Sequence, residues 1–516
     1  MRAMVRRLWV LATTAWLGAM PAPAQQDLGP LLAQVPDTAI AVAAAAEPGA
    51  LLRHLGAFAE PVPVGLPPDV TAAIGAAVAL VRTFCDGAPD AWLERLAGGG
   101  AVAAWSPPDG GAAGHWLLVL RPDDLAAAEA WCAERARGAL RSTRDGLLLL
   151  GAGAAAVPGS WAQTDLAVRA AAHDGVVAEI DLARLRRRAG ADAIAALRAD
   201  GVARWAFAPV VQALESGERL RLELAASAAR IRLLAAFGGT PIPTAEPDPG
   251  ATPLVVVAAL RLERSLRELL AAPERVLDAG GVQAVRGFLS IADALDGPQS
   301  SFVDDLLGGL HEPLVLHVLP VPPAPDVERA PLCLPQFVVS AAVADAAAVD
   351  AALRTARNLA TIANAERMQR GAAPFVLRTR SAEDGHGLVA EPPPWRGPGA
   401  PPVDRQLSPA VWHGNGRLAI ATTLSAARAV CAAPALPAVG PGDRLLLRGP
   451  ALAAAIAQSR GVLELARMLD EGEPPGDARR FFDVVIAVTD ALASLDLAVT
   501  RDAPATTLRL DLERRR

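Results

Sequence analysis

Ile40-Ala41-Val42-Ala43 leads through Glu47-Pro48-Gly49 to Leu51-Leu52-Arg53-His54-Leu55, and Leu254-Val255-Val256-Val257 leads to Ser265-Leu266-Arg267-Glu268-Leu269 in the same order. The offset is constant, since 254 − 40 = 214 and 269 − 55 = 214. Each copy reads as a short buried strand feeding a helix. A second match lies at offset 221. His115-Trp116-Leu117-Leu118-Val119 runs to Asp124 and a helix over 125–137, as Gln336-Phe337-Val338-Val339-Ser340 runs to Asp345 and a helix over 346–358. Asp124 and Asp345 stand at helix N-cap positions, where a carboxylate accepts hydrogen bonds from the first-turn amides.

A third match, at offset 275, places Arg204, Phe207 and Val210 against Arg479, Phe482 and Val485. The strand Leu220, Leu222, Leu224 then answers to Leu495, Leu497, Val499, and the return strand Leu233, Ala235, Phe237 to Leu508, Leu510, Leu512. Period-two alternation puts these residues on one face of an antiparallel pair, with Arg219, Arg221, Glu223, Asp496, Arg509 and Asp511 on the other. Offsets that grow from 214 to 221 to 275 are what insertions in a second copy produce. Chance alignment in an alanine-rich chain is the competing account.

The expected class is therefore α+β: two tandem similar halves, each a mainly antiparallel sheet with helices packed on one face. The expected boundaries are a signal peptide over 1–24, a first repeat over 25–237, a proline-rich linker over 238–252, and a second repeat over 253–516. Further helices are expected over 69–84, 181–198, 277–293, 451–459 and 461–469. Further strands are expected over 147–150, 176–180, 313–319, 374–379, 417–422 and 444–448. An insertion near 380–412, with Pro392-Pro393-Pro394-Trp395 and Pro401-Pro402, reads as an extended loop.

The chain has 516 residues and is 52% hydrophobic, enough to bury large cores. It contains no tyrosine and no lysine, so all 49 basic residues are arginine, and alanine makes up about a fifth of it. Mutational bias of the source genome is the simplest cause. Its chemical consequence is independent of cause: Schiff-base, phosphate-loop-lysine, Ser-Lys and phenolic mechanisms are excluded. A net charge of −6 with no dense basic tract argues against nucleic acid as a partner.

Arg2, Arg6 and Arg7 precede an apolar stretch over 8–20, too short to span a bilayer, and Ala22-Pro23-Ala24 supplies a small-x-small cleavage pattern. Cleavage after Ala24 and export to the periplasm or exterior are expected, with no transmembrane anchor in the mature chain. Four cysteines, Cys85, Cys132, Cys333 and Cys431, permit two disulfides in an exported chain. Cys85–Cys132 and Cys333–Cys431 are the preferred pairs; four small buried hydrophobes are the alternative.

Chemical motifs are sparse. Gly151-Ala152-Gly153 after a strand imitates a nucleotide fingerprint, but Pro158-Gly159 breaks the helix that such a site needs. His311 and His317 are six apart across Pro313 on a predicted strand, roughly 20 Å between rings, so they share no metal. His413-Gly414-Asn415-Gly416 reads as a hairpin turn, and Asp123-Asp124 and Asp304-Asp305 read as helix caps. No catalytic residue, cofactor or metal ligand is assigned. Trp161, Trp395 and Trp412, placed in loops or at strand edges, are the candidate ligand contacts.

In its order of elements, and in Val35-Pro36-Asp37-Thr38-Ala39-Ile40-Ala41-Val42 followed by a short helix, the chain resembles a loose group of exported, duplicated, alanine-rich bacterial proteins of unknown function. The resemblance covers most of the mature chain and brings no activity with it. The expected function is a non-enzymatic binding or scaffold protein of the envelope or exterior, with an unknown protein or ligand as partner. The alternative is a hydrolase whose Asp, Glu, Ser and His residues converge only in the fold.

Overall fold

Nearly every strand pairs antiparallel with a strand made nearby in the chain. In the computed structural model the described residues are 28–47, 54, 100–106, 115–135, 140–152, 165–171, 173, 175–189, 217–227, 229–237, 256–262, 272–275, 279–296, 309–320, 335–343, 345–394, 407–433, 442–502 and 505–515. The chain divides into two compact units, one holding Met1–Asp200, Phe207–Thr244 and Arg501–Arg516, the other Gly201–Ala206 and Ala245–Thr500.

The first unit opens with α1 (Gly29–Leu32), β1 (Ala41–Ala45), β2 (Ala101–Ser106), β3 (His115–Leu120) and α2 (Leu125–Arg135). It continues through β4 (Leu140–Arg144), β5 (Leu147–Ala152), α3 (Leu166–Ala171), β6 (Val176–Asp181), α4 (Leu182–Ala189), β7 (Arg219–Ala226) and β8 (Arg230–Phe237). Its ladder runs β4-β5-β3-β2-β1-β6-β7-β8, all antiparallel. β1 is alanine and valine throughout and buried on both faces. On one face Val42, Val102, Val119 and Val177 meet Leu31, Leu32, Leu166 and Ala170 of α1 and α3. Each fully buried leucine there contributes about 1.5–3 kcal/mol.

The second unit holds β9 (Ala258–Leu262), α5 (Ala279–Asp296), β10 (Leu310–Leu319), β11 (Gln336–Val343) and α6 (Ala346–Gln369). Then come β12 (Val376–Ala382), β13 (Gly385–Glu391), β14 (Ala410–Gly414), β15 (Arg417–Ala421), α7 (Leu424–Ala432), β16 (Gly442–Arg448), α8 (Gly449–Glu471), α9 (Pro475–Ala491) and β17 (Leu492–Asp502). The ladder runs β12-β13-β14-β15-β11-β10-β9-β16-β17, again antiparallel. The last strand, β18 (Ala505–Arg514), belongs to the first unit and pairs with β8 along its length. Among the described residues no helix is long and apolar enough to cross a membrane.

The α+β class and the antiparallel sheet are as the sequence predicts, but three expectations need correction. Helices do not keep to one face. In the second unit α7 covers Val338, Trp412 and Ala419, whereas α6 covers Val411 and Leu418, their neighbours on the opposite face. The proline-rich insertion is not simply a loop, because its first part forms β13 and its end forms β14, with 395–406 outside the described residues. The helices expected over 451–459 and 461–469 are one helix, α8, running through Gly461. A single interior glycine costs about 1 kcal/mol relative to alanine, too little to break a helix held by packing against α9.

Candidate functional site

Two places in the second unit gather side chains of chemical interest. The first is buried. Leu319 and Val338 point into the core under α7, and alternation puts His317 of β10 and Ser340 of β11 on that same face. His317 Nε2 lies 3.0 Å from Ser340 Oγ, and the two residues are 3% and 1% exposed. The other ring nitrogen, Nδ1, is buried with no hydrogen-bond partner. Burial, and then the charge of Arg417, hold the imidazole well below its usual range, at about 4. The ring is therefore neutral at pH 7 and faces a serine, as a general base would. Both side chains lie beneath the surface of the unit as folded.

The second place is the corner where β13, β14, β15 and α7 meet. Asn415 and Gly416 both have positive φ, 51° and 69°, which turns β14 back into β15 as the Asn-Gly pair predicts. Asn415 Nδ2 donates to the Cys431 carbonyl at 3.2 Å, and Arg417 donates to the carbonyls of Val430 and Ala433 at 3.1 and 2.9 Å. These bonds satisfy the free carbonyls that end α7. Arg428 of α7 forms a forked pair with Asp384 at 2.8 and 2.9 Å and lies 5.5 Å over the Trp412 ring. The strands press close here: a Cβ on Gly387 would sit 2.0 Å from the Val411 carbonyl, so only glycine fits.

On this frame His386 and His413 face each other across the β13–β14 ladder, ring centroids 5.4 Å apart at 73°. His386 is exposed and His413 half-buried. Desolvation, and then the neighbouring His386, lower the pKa of His413. The residues are 27 apart in sequence (413 − 386 = 27), and the strand register alone brings them together. Their spacing in sequence matches no metal-ligand motif.

Charged side chains elsewhere serve the scaffold. Glu179, fully buried on β6, accepts from Arg169 at 3.0 Å and Arg219 at 2.7 Å. Asp496 is forked to Arg444 at 2.9 and 2.7 Å, and Asp511 accepts from Arg230 and Arg232 at 3.1 and 3.0 Å. A groove of about 710 Å³ on α5 is lined by Val282, Gln283 and the ion pair Arg286–Glu274, 3.3 Å apart. Among the described residues no three His, Cys, Asp or Glu side chains gather as a metal site.

Of the residues singled out from sequence, Trp412 is corrected. It is 1% exposed in β14, a strand buried at every residue but His413, so its ring belongs to the core under α7 and not to an exposed edge. Trp161, Trp395, Cys85, Cys333 and the cleavage site after Ala24 lie outside the described residues. Cys132 on α2 is fully buried. Cys431 on α7 is a buried thiol 3.6 Å from the Arg417 carbonyl, and desolvation pushes its pKa up to about 11. His311 and His317 lie along one strand, β10, which keeps their rings apart.

No family model matches the chain, and no curated protein matches it.

Proposed function

We propose that the chain is an exported, non-enzymatic binding or scaffold protein of the bacterial envelope or exterior, built from two tandem similar halves. The duplication is supported by ladder order. The run β4-β5-β3-β2-β1-β6-β7 has its counterpart in β14-β15-β11-β10-β9-β16-β17, with β12 and β13 as the insertion of the second half.

The binding role rests on one observation. Phe337, Val339 and Ile420 are 43%, 40% and 47% exposed on adjacent strands, with Val339 directly opposite Ile420. Leu316 and Val318 of β10, opposite Val339 and Phe337, extend the same apolar face. A contiguous apolar patch on a sheet face is the signature of a surface that docks a partner. The test is capture of envelope components by the mature protein and by a V339E/I420R variant. Loss of a captured component in the variant is expected; identical capture by both proteins overturns the proposal.

A second reading, a hydrolase, draws on the His317–Ser340 bond of 3.0 Å. A fluorophosphonate probe decides between them: labelling of Ser340 in the folded chain establishes the hydrolase, and an unlabelled Ser340 leaves the binding role.

A further inference from the structure

The corner of β13 and β14 carries a chelating pair that the proposed docking role does not use. We propose that His386 and His413 together bind a divalent transition-metal ion, with solvent completing the coordination. Residues directly opposite in an antiparallel pair have Cβ atoms about 4.5–5.5 Å apart, close enough for two side chains to reach one ion. His386 and His413 are such a pair.

Distance supports the same conclusion. An imidazole nitrogen binds zinc at about 2.1 Å, which places the ring centroid about 3.2 Å from the ion. Two rings at a tetrahedral angle then have centroids about 5.2 Å apart. The observed separation is 5.4 Å. The backbone beneath the pair is fixed. Gly385 and Gly387 admit the β14 carbonyls to within a distance no side chain allows, and Asp384 is clamped by Arg428. The exposed face of His386 leaves a path for the ion and its waters.

The donor set selects the metal. Two imidazole nitrogens suit Cu²⁺, Zn²⁺ and Ni²⁺, and affinity rises to a maximum at Cu²⁺. Asp384, two residues before His386, has both carboxylate oxygens on Arg428, and Ca²⁺ and Mg²⁺ call for oxygen ligands.

The experiment is Cu²⁺ titration of the full chain by calorimetry and by electron paramagnetic resonance. Wild type is compared with H386Q, H413Q and the control H311Q. We expect one ion per chain with a signal from two nitrogens, about tenfold or more weaker binding in H386Q and in H413Q, and no change in H311Q. His386 is exposed, so H386Q carries the test should H413Q fail to fold. No binding by wild type at about 0.1 mM, or equal binding by wild type and H386Q, overturns the proposal.

Discussion

His317 should make the second unit acid-labile, by an amount that follows from its burial. The folded imidazole titrates at about 4 against an ordinary value of 6.5. The folded pKa is depressed, so the unfolded chain takes up the proton first. Stability is fully present above pH 6.5 and falls as pH drops from 6.5 toward 4. Below 4 both states are protonated and the loss stops growing. At about 1.4 kcal/mol per unit, a gap of 6.5 − 4 = 2.5 units corresponds to roughly 3.4 kcal/mol. His317→Gln removes the titrating group while keeping a polar atom for Ser340. Urea unfolding of wild type and H317Q at pH 7, 5 and 4 isolates the contribution, since every other group is common to both. The stability difference between them should move against wild type by about 3 kcal/mol between pH 7 and pH 4. Parallel pH profiles for the two proteins would refute the reasoning.

Gly461 lies in the interior of α8, and a Cβ there meets nothing within 4 Å. Gly461→Ala should therefore stabilise the protein by about 1 kcal/mol, read as a raised urea midpoint with unchanged slope. A lowered midpoint would mean that the glycine serves a contact absent from the structure. Cys431, with its thiol pushed up to about 11, should resist iodoacetamide at pH 8 in the folded state and react on unfolding. Rapid alkylation of Cys431 in the native protein contradicts that placement.

Local signals survived the passage from sequence to structure where one rule governed them. Asp345 and Asp124 cap their helices as expected, accepting from the amides of Ala347 and Ala127 at 3.0 Å each. The hairpin of β7 and β8 keeps the alternation read from Leu220, Leu222 and Leu224. What the sequence hid depends on register and on two-sided burial. β14 is Ala-Val-Trp-His-Gly with no alternation, because helices cover both of its faces, so Trp412 passed for an edge residue. The facing of His386 and His413 follows only when β13 is recognised as a strand and paired to within one residue. Gly385-His386-Gly387 gave no such signal, since glycines are poor strand formers. Here they serve close backbone approach instead.

The pairing of β8 with β18 has a consequence for biosynthesis. Arg230 and Asp511, bonded across that ladder, are 281 residues apart in the chain. Closing so long a loop costs on the order of 5 kcal/mol of chain entropy before the ladder returns anything. During synthesis from the N-terminus, β8 therefore waits as an open strand edge for most of the time that the second unit is being made. An open edge is a template for pairing with other chains. The first unit is thus completed only after the second has been made, and a chain cut before residue 505 would leave β8 without its β18 partner.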